Sequence, residues 1–184
     1  MTKNDIIHSD IANSLVEMAK KDQAMRFNAQ DSNRHKKIDK NIDRENLKQL
    51  KEIVAKIGWP TKSTVGEIAA HAAWLIAQHG DFDVEFQKEC LSLMKKSDDI
   101  CNVYVAYLTD RIEVNEGREQ IFGTQFHIND SGEIEPRPIK NIEELDKRRQ
   151  EVGMSGFEEY RNKMHGNYPT GYEQKMIGPF GVAD

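Results

Sequence analysis

Residues 58–87 read GWPTKSTVGEIAAHAAWLIAQHGDFDVEFQ, and they contain one helix together with the signals that begin and end it. The Trp-Pro pair at 59–60 predicts a turn, because a residue before proline is pushed out of the helical region. The serine or threonine at 63 and 64 can cap a helix that runs to His79, and the following glycine is a typical stop signal. Asp83 then begins another helix, DVEFQKECLSLMKK. Two helices joined by so short a loop are typical of a helical bundle.

The rest of the chain predicts further helices and a single β-hairpin. Apolar residues repeat at helical spacing over about 4–29, 43–58 (with Asp43 as the N-cap), 100–114, 141–152 and 155–164. The strong β pattern lies at about 119–137, where EQIFGTQFHI and EIEPRPI flank the turn NDSG. We therefore predict a mainly α protein: a compact bundle of about six to seven helices with one β-hairpin, in one domain over residues 1–164. The tail, 165–184, carries aromatic residues that we expect to pack on the surface.

Composition and charge argue against several classes of protein. The net charge of −5 and the isoelectric point near 5.7 do not provide the basic surface that nucleic-acid binding needs. No apolar run is long enough to span a bilayer, and no secretory signal is visible, so we expect a soluble, cytoplasmic protein without a membrane partner. The two cysteines, Cys90 and Cys101, lack the spacing of a disulfide framework or a zinc site. We expect no cofactor and no metal.

Several segments resemble an uncharacterised bacterial family that is known only as a domain of unknown function. They are DQAMR at 22–26, the segment 58–87 quoted above, YLTDR at 107–111, EQIFGTQ at 119–125 and DKRRQEVG at 146–153. The likeness covers most of residues 20–155 and implies candidate positions but no chemistry. The family reads more like QHADHD where this chain has QHGDFD. Phe82 therefore replaces a second possible histidine, which argues against a metal site.

Four predicted helices carry ionisable residues on or beside their apolar stripes. A helix turns about 100° per residue, so the position of each residue around the helix can be worked out. Burying an isolated charge costs several kcal/mol, so such groups must meet a partner, water or a ligand. We hypothesise that these residues converge on one site: Asp22, Arg26, His79, Asp110 and Arg148 or Arg149.

His79 is the leading catalytic candidate in this set. A histidine with a carboxylate partner such as Asp110 can act as a general base, and Asp81 would favour the charged imidazole. A metal held by His79, Asp81 and Asp83 is less expected, because no histidine pair or cysteine pair at ligand spacing accompanies them. The predicted catalytic residues are His79, Asp110 and Asp81. The predicted ligand-binding residues are Asp22, Gln23, Arg26, Gln78, Arg111, Gln125, Arg148 and Arg149.

Two functions remain open from the sequence. In the first, a pocket between the helices, closed by the hairpin, binds a small polar molecule or peptide and performs His/Asp acid–base chemistry. Arg111 or Arg148 would hold an anionic part of that substrate, because guanidinium matches carboxylate and phosphate geometry. In the second, the chain is a non-enzymatic interaction protein of an immunity or regulatory kind, and its buried charges only fix the fold.

Overall fold

The computed structural model describes residues 7–30 and 39–166, and it is built mainly of α-helices. The predicted fold class is therefore confirmed. Within the described ranges the helices are α1 (Ser9–Gln30), α2 (Lys40–Ile57), α3 (Lys62–Val65), α4 (Glu67–Gln78), α5 (Val84–Lys95), α6 (Asn102–Asn115), α7 (Leu145–Glu151) and α8 (Phe157–Met164), with one 3₁₀ turn at Ile142–Glu144. The strands are β1 (Phe126–Ile128) and β2 (Ile134–Pro136).

Helix α4 lies at the centre of the bundle and contacts α1, α2, α5 and α6. Its buried face is built mostly of alanine, at positions 69, 72, 73 and 77, together with Ile76. Alanine is the best helix former, and its small side chain lets neighbouring helices approach closely. Leu15 of α1 and Leu50 of α2 are fully buried in the core that forms around this helix.

Several predicted helix boundaries were wrong: α1 begins at Ser9 and not near 4, α7 begins at Leu145 and not near 141, and two further boundaries have a clear local cause. Helix α2 begins at Lys40 and not at 43, because the side chain of Asp39 accepts a hydrogen bond from the backbone N–H of Asn41. The predicted helix over 63–79 is divided by Gly66, whose φ of 84° ends α3 before α4 begins. Helix α3 begins after Thr61, whose backbone N–H donates to the hydroxyl oxygen of Thr64.

The β-hairpin is much shorter than predicted. Only Phe126–Ile128 and Ile134–Pro136 pair, antiparallel, with His127 opposite Glu135. Residues 119–125 were predicted to belong to the first strand, and this was wrong. Apart from one isolated bridge from Gln120 to Ile139, they form a loop that bends around a side chain of α6.

Two further predictions, on membrane spans and on the C-terminal tail, can be compared only with the residues that the structure describes. No helix within the described ranges has both the length and the apolar character needed to cross a bilayer. The predicted tail from 165 lies, from residue 167 onward, outside the described residues.

Candidate functional site

Three of the predicted site residues meet where α4 ends. Nδ1 of His79 lies 2.9 Å from Oδ1 of Asp22, and Nε of Arg26 lies 3.2 and 3.3 Å from the two oxygens of the same carboxylate. Nη2 of Arg26 also donates to Oδ1 of Asp43 at 2.6 Å. We call Asp22, Arg26, Asp43 and His79 the His79 cluster.

Local helix geometry explains why these side chains meet. Asp22 and Arg26 are four residues apart on α1, so they lie one above the other on the same face. His79 caps the C-terminal end of α4, which packs against α1. The next residue, Gly80, lets α2 approach closely, because a Cβ at this position would lie 2.7 Å from a methyl carbon of Leu47 and that buried side chain would have to move. This close approach brings α2, and with it Asp43, to the same place.

The two carboxyl groups of the cluster have pKa values shifted in opposite directions. Burial opposes ionisation of Asp22, which is 1% exposed, but the hydrogen bond from His79 and the charges of His79 and Arg26 hold its pKa below the ordinary value. Burial and the negative charge of Asp22 raise the pKa of Asp43, and Arg26 only partly offsets this. Asp22 is thus fixed as a carboxylate, whereas Asp43 binds a proton more readily than an ordinary aspartate.

The carboxylate sets the orientation of the His79 ring. When Nδ1 carries a proton it donates to Asp22, and it cannot then accept from Arg26, whose Nε–H is 3.0 Å away. The Arg26 Nε–H is left to the carboxylate. Nε2 of His79 makes no hydrogen bond to any part of the chain that the structure describes, and the side chain is 17% exposed. The arrangement is that of a general base or acid whose reactive nitrogen is available.

A second polar network holds the loop that follows His79. Nη1 of Arg111 lies 2.8 Å from Oδ2 of Asp81, and its Nε donates to Oε1 of Gln78 at 3.1 Å. Asn115 and the buried Gln87 donate to the other oxygen of Asp81, and Gln87 also donates to the last carbonyl groups of α4. We call Gln78, Asp81, Gln87, Arg111 and Asn115 the Arg111 network. Burial opposes ionisation of Asp81, but Arg111 and the hydrogen bonds hold its pKa below the ordinary value.

Asp110 serves a different region, so the carboxylate partner of His79 is Asp22 and not Asp110. Oδ1 of Asp110 accepts the backbone N–H groups of Ile121 and Phe122 at 2.7 and 2.9 Å. Oδ2 accepts the backbone N–H and the hydroxyl of Thr124, both at 2.9 Å. Burial raises the pKa of Asp110, and these four hydrogen bonds oppose the rise. With every lone-pair direction engaged, this carboxylate shapes the 121–124 loop.

Arg148 and Arg149 also bind this loop and not the His79 cluster. Arg148 donates to three backbone carbonyl groups, at positions 121, 140 and 141. Arg149 is 2% exposed, donates to the carbonyl groups of residues 155 and 122, and lies 4.9 Å from the ring centre of Tyr160. Gln125 is bound to Thr124 and Gln120 in the same loop. These contacts tie the three residues to the loop and its flanking segments and do not bring them to His79.

The remaining predicted ligand-binding residue, Gln23, lies at the edge of the His79 cluster. Its Nε2 donates to Oδ2 of Asp22 at 2.7 Å. Asp22 therefore accepts from three side chains, which explains how a carboxylate can be almost completely buried beside a single arginine.

The donor set of the His79 cluster resembles a metal site, but a guanidinium already fills the cationic role. One ligand atom from each of Asp22, Asp43 and His79 lies within 4.8 Å of the others, a grouping that could hold a metal ion. Arg26, however, bridges the two carboxylates and supplies the positive charge that an ion would bring. A divalent cation would have to displace that arginine, so the residues present fit a metal poorly.

Sequence reasoning missed Asp43 and Gln87 as site residues, although a signal for both was present. Asp43 lies four residues before Leu47, and so it continues the buried stripe of α2. Gln87 lies three residues before Cys90 on the buried face of α5. Both are polar residues on apolar stripes, the pattern that pointed to Asp22.

Two of the clefts in the described region are lined by residues outside the His79 cluster. One has a volume of about 320 Å³ and is lined by residues that include Trp59, Lys62 and Tyr104. The other has a volume of about 330 Å³ and lies between α1 and α2, with Met18 and Asn46 in its lining. Neither is lined by His79 or Asp22.

Comparison with known proteins identifies the family and leaves the activity open. The chain belongs to a family of unknown function, DUF6624, whose model matches residues 9–172. No curated protein and no solved structure matches the chain.

Proposed function

We propose that the His79 cluster is the working site of a domain that binds a small polar molecule or peptide and transfers protons through His79. The observation that carries this proposal is the pairing of His79 Nδ1 with a buried, charge-stabilised carboxylate at 2.9 Å. Such a partner holds the ring in one tautomer and stabilises the imidazolium that forms when Nε2 takes a proton. Asp22 supplies that partner, and Arg26 keeps it ionised.

The opposed pKa shifts of the two aspartates support an acid–base role. Paired titratable groups whose environments push their pKa values apart are typical of sites that need one acid and one base. Asp22 and Asp43 form such a pair around Arg26, and Asp43 is the group that more readily holds a proton. A hydrolytic or group-transfer reaction would use His79 to activate water or a substrate hydroxyl, with Asp43 as a proton donor.

The alternative, a non-enzymatic interaction protein, is supported by the other half of the predicted set. Asp110 and Arg149 are buried charges whose contacts all serve the fold. If the His79 cluster has the same purpose, the function must lie on a surface and no reaction should depend on His79.

The test compares His79→Asn and Asp22→Asn with the wild type on three chromogenic substrates. p-Nitrophenyl acetate, bis(p-nitrophenyl) phosphate and alanine p-nitroanilide report acyl transfer, phosphoryl transfer and peptide-like hydrolysis. We expect at least one to be turned over, and its rate to fall about 100-fold or more in His79→Asn. His71→Asn is the matched control, because His71 lies on the same helix but binds the hydroxyl of Tyr104.

Stability measurements separate the two functions when no substrate is turned over. Residues of a working site are often suboptimal for stability, so His79→Asn should change the free energy of unfolding by less than about 1 kcal/mol. A loss above about 2 kcal/mol in this variant, without turnover of any substrate by the wild type, would assign the cluster to the scaffold.

A further inference from the structure

The side-chain amide of Gln78 has an unmet hydrogen-bond donor in the interior. Gln78 is 4% exposed, and its Oε1 accepts from Nε of Arg111 at 3.1 Å. Its Nε2 is buried and has no hydrogen-bond partner within the described ranges, where no other buried side-chain nitrogen or oxygen lacks one. Nearly all buried polar groups in proteins are hydrogen-bonded, so this unmet donor indicates that an acceptor other than the described residues belongs beside it.

The orientation of this amide is fixed by its neighbour. Rotating the amide by 180° would turn its NH₂ group toward the Nε–H of Arg111, and two donors would then face each other. Nε2 of Gln78 is therefore the atom that requires the acceptor.

Arg111 offers a second donor at the same place. Its Nε binds Gln78 and its Nη1 binds Asp81, whereas Nη2 has no partner among the residues that the structure describes. The side chain is 25% exposed, so solvent reaches this guanidinium. Two side chains that are bonded to each other thus both have a donor left over, and one of them carries a positive charge.

We propose that Gln78 and Arg111 bind an anionic oxygen group, a carboxylate or a phosphate, of the substrate that His79 acts upon. Such a group accepts several hydrogen bonds at once, and guanidinium is the side chain that matches it best. Gln78 directly precedes His79 in the chain, so the Arg111 network and the His79 cluster lie at the same end of α4. The proposal rests on the proposed function for the identity of the ligand, but the binding itself requires no reaction.

Asp81 limits how strongly a simple anion can bind. Its carboxylate neutralises part of the Arg111 charge, although Asn115 and Gln87 share that carboxylate. The Arg111 network is therefore neutral overall, and we expect millimolar affinity for a free anion. A whole substrate would add its contacts with the His79 cluster.

The experiment is a nuclear magnetic resonance titration of ¹⁵N-labelled protein at constant ionic strength. Inorganic phosphate and acetate are added in separate series, to about 50 mM, while the side-chain signals of Gln78 and Arg111 are followed. Gln78→Glu is nearly isosteric, keeps an acceptor for Arg111 and replaces the free donor with a negative oxygen. Arg111→Lys keeps the positive charge but removes the paired N–H donors of the guanidinium group. Arg44→Gln is the matched control, because it removes a positive charge from the exposed surface near Asp43.

The proposal expects saturable shifts of both signals that are lost in Gln78→Glu, weakened at least fivefold in Arg111→Lys and retained in Arg44→Gln. Saturation by phosphate alone assigns a phosphate-bearing substrate, and saturation by acetate alone assigns a carboxylate. Shifts that do not saturate, or that persist in Gln78→Glu, would overturn the proposal and leave the donor to a buried water molecule. His79→Asn should still bind the anion, so loss of turnover and loss of anion binding can be told apart.

Discussion

Replacing Asp110 with asparagine tests most directly how the scaffold is divided from the site. The side chain is completely buried and accepts four hydrogen bonds from residues 121–124. Asparagine has almost the same shape but only one acceptor oxygen, and its NH₂ group would face two donors. The hydroxyl of Thr124 can rotate to accept, whereas the backbone N–H of that residue cannot. Asp110→Asn therefore leaves one buried N–H without an acceptor.

The magnitude follows from these contacts. Hydrogen bonds to a charged acceptor contribute about 1.5–3 kcal/mol each; one of the four is lost and leaves a buried N–H unmet, and the bond with the Thr124 hydroxyl is reversed. The two that remain are weakened, because their acceptor becomes neutral. Relief from burying a charge offsets part of the loss, which gives a net destabilisation of about 3–5 kcal/mol. For a domain of this size that corresponds to a fall in melting temperature of about 6–20 °C.

The assay is urea denaturation followed by circular dichroism, with Asp146→Asn as the control. Asp146 is an exposed acceptor for one backbone N–H, that of Phe157 at 2.7 Å, so its replacement should cost no more than about 1 kcal/mol. A loss for Asp110→Asn that does not exceed the loss for Asp146→Asn would refute the reasoning. It would mean that the 121–124 loop does not depend on this carboxylate.

Three further predictions concern the pH dependence of the stabilisation by Asp22, the glycine of the 121–124 loop and the positive charge of Arg26. The pKa of Asp22 is lower in the folded protein than in the unfolded chain, so the carboxylate stabilises the fold above the unfolded pKa of about 3.9. This stabilisation is lost as pH falls toward the folded pKa. The difference in unfolding free energy between wild type and Asp22→Asn should therefore shrink from pH 6 to pH 3, and a constant difference would contradict this. Gly123→Ala should lower the free energy of unfolding in urea by about 2–4 kcal/mol, because φ is 69° and the new Cβ would lie 2.8 Å from Phe157. The control Gly153→Ala has a similar φ of 82° but open space around the new Cβ, so it should lower the free energy of unfolding by about half as much. Arg26→Gln removes the positive charge that lies between the carboxylates of the His79 cluster, so titration calorimetry should detect Zn²⁺ binding to that variant and not to the wild type. Equal Zn²⁺ binding by both proteins would show that the arginine does not occupy the position of a cation.

The helices could be predicted from the sequence because their signals are local. The alanine-rich stripe of α4 and its glycine stop lie within one short segment, and so do the stripes of α1 and α2. The boundary errors also have local causes. Asp39 and Asp43 are both competent N-caps, and the backbone selects the one whose oxygen reaches a free N–H.

The 119–125 loop could not be predicted, because its conformation depends on a distant residue. The segment contains Ile121, Phe122 and Thr124, residue types that favour strands, yet the backbone N–H groups of these three residues bind Asp110 instead of another strand. A carboxylate that offers four acceptor positions can outweigh a short run of β-propensity, which is weak and depends on context. Nothing within the segment reveals that such an acceptor lies on α6.

The same limitation explains why only half of the predicted site came together. A polar residue on an apolar stripe shows that it must be satisfied, but not whether its partner is a side chain, a loop or a ligand. Asp110, Arg148 and Arg149 are satisfied by backbone groups of irregular segments, which have no helical period to reveal them. The His79 cluster and the Arg111 network differ from these three residues in one respect. Each retains a polar group without a hydrogen bond to the described residues: Nε2 of His79 in the cluster and the amide donor of Gln78 in the network. A network that exists only to fix a fold gains nothing from leaving such groups unmet, so these two leftover groups, which lie on adjacent residues, are the strongest physical reason to place the ligand there.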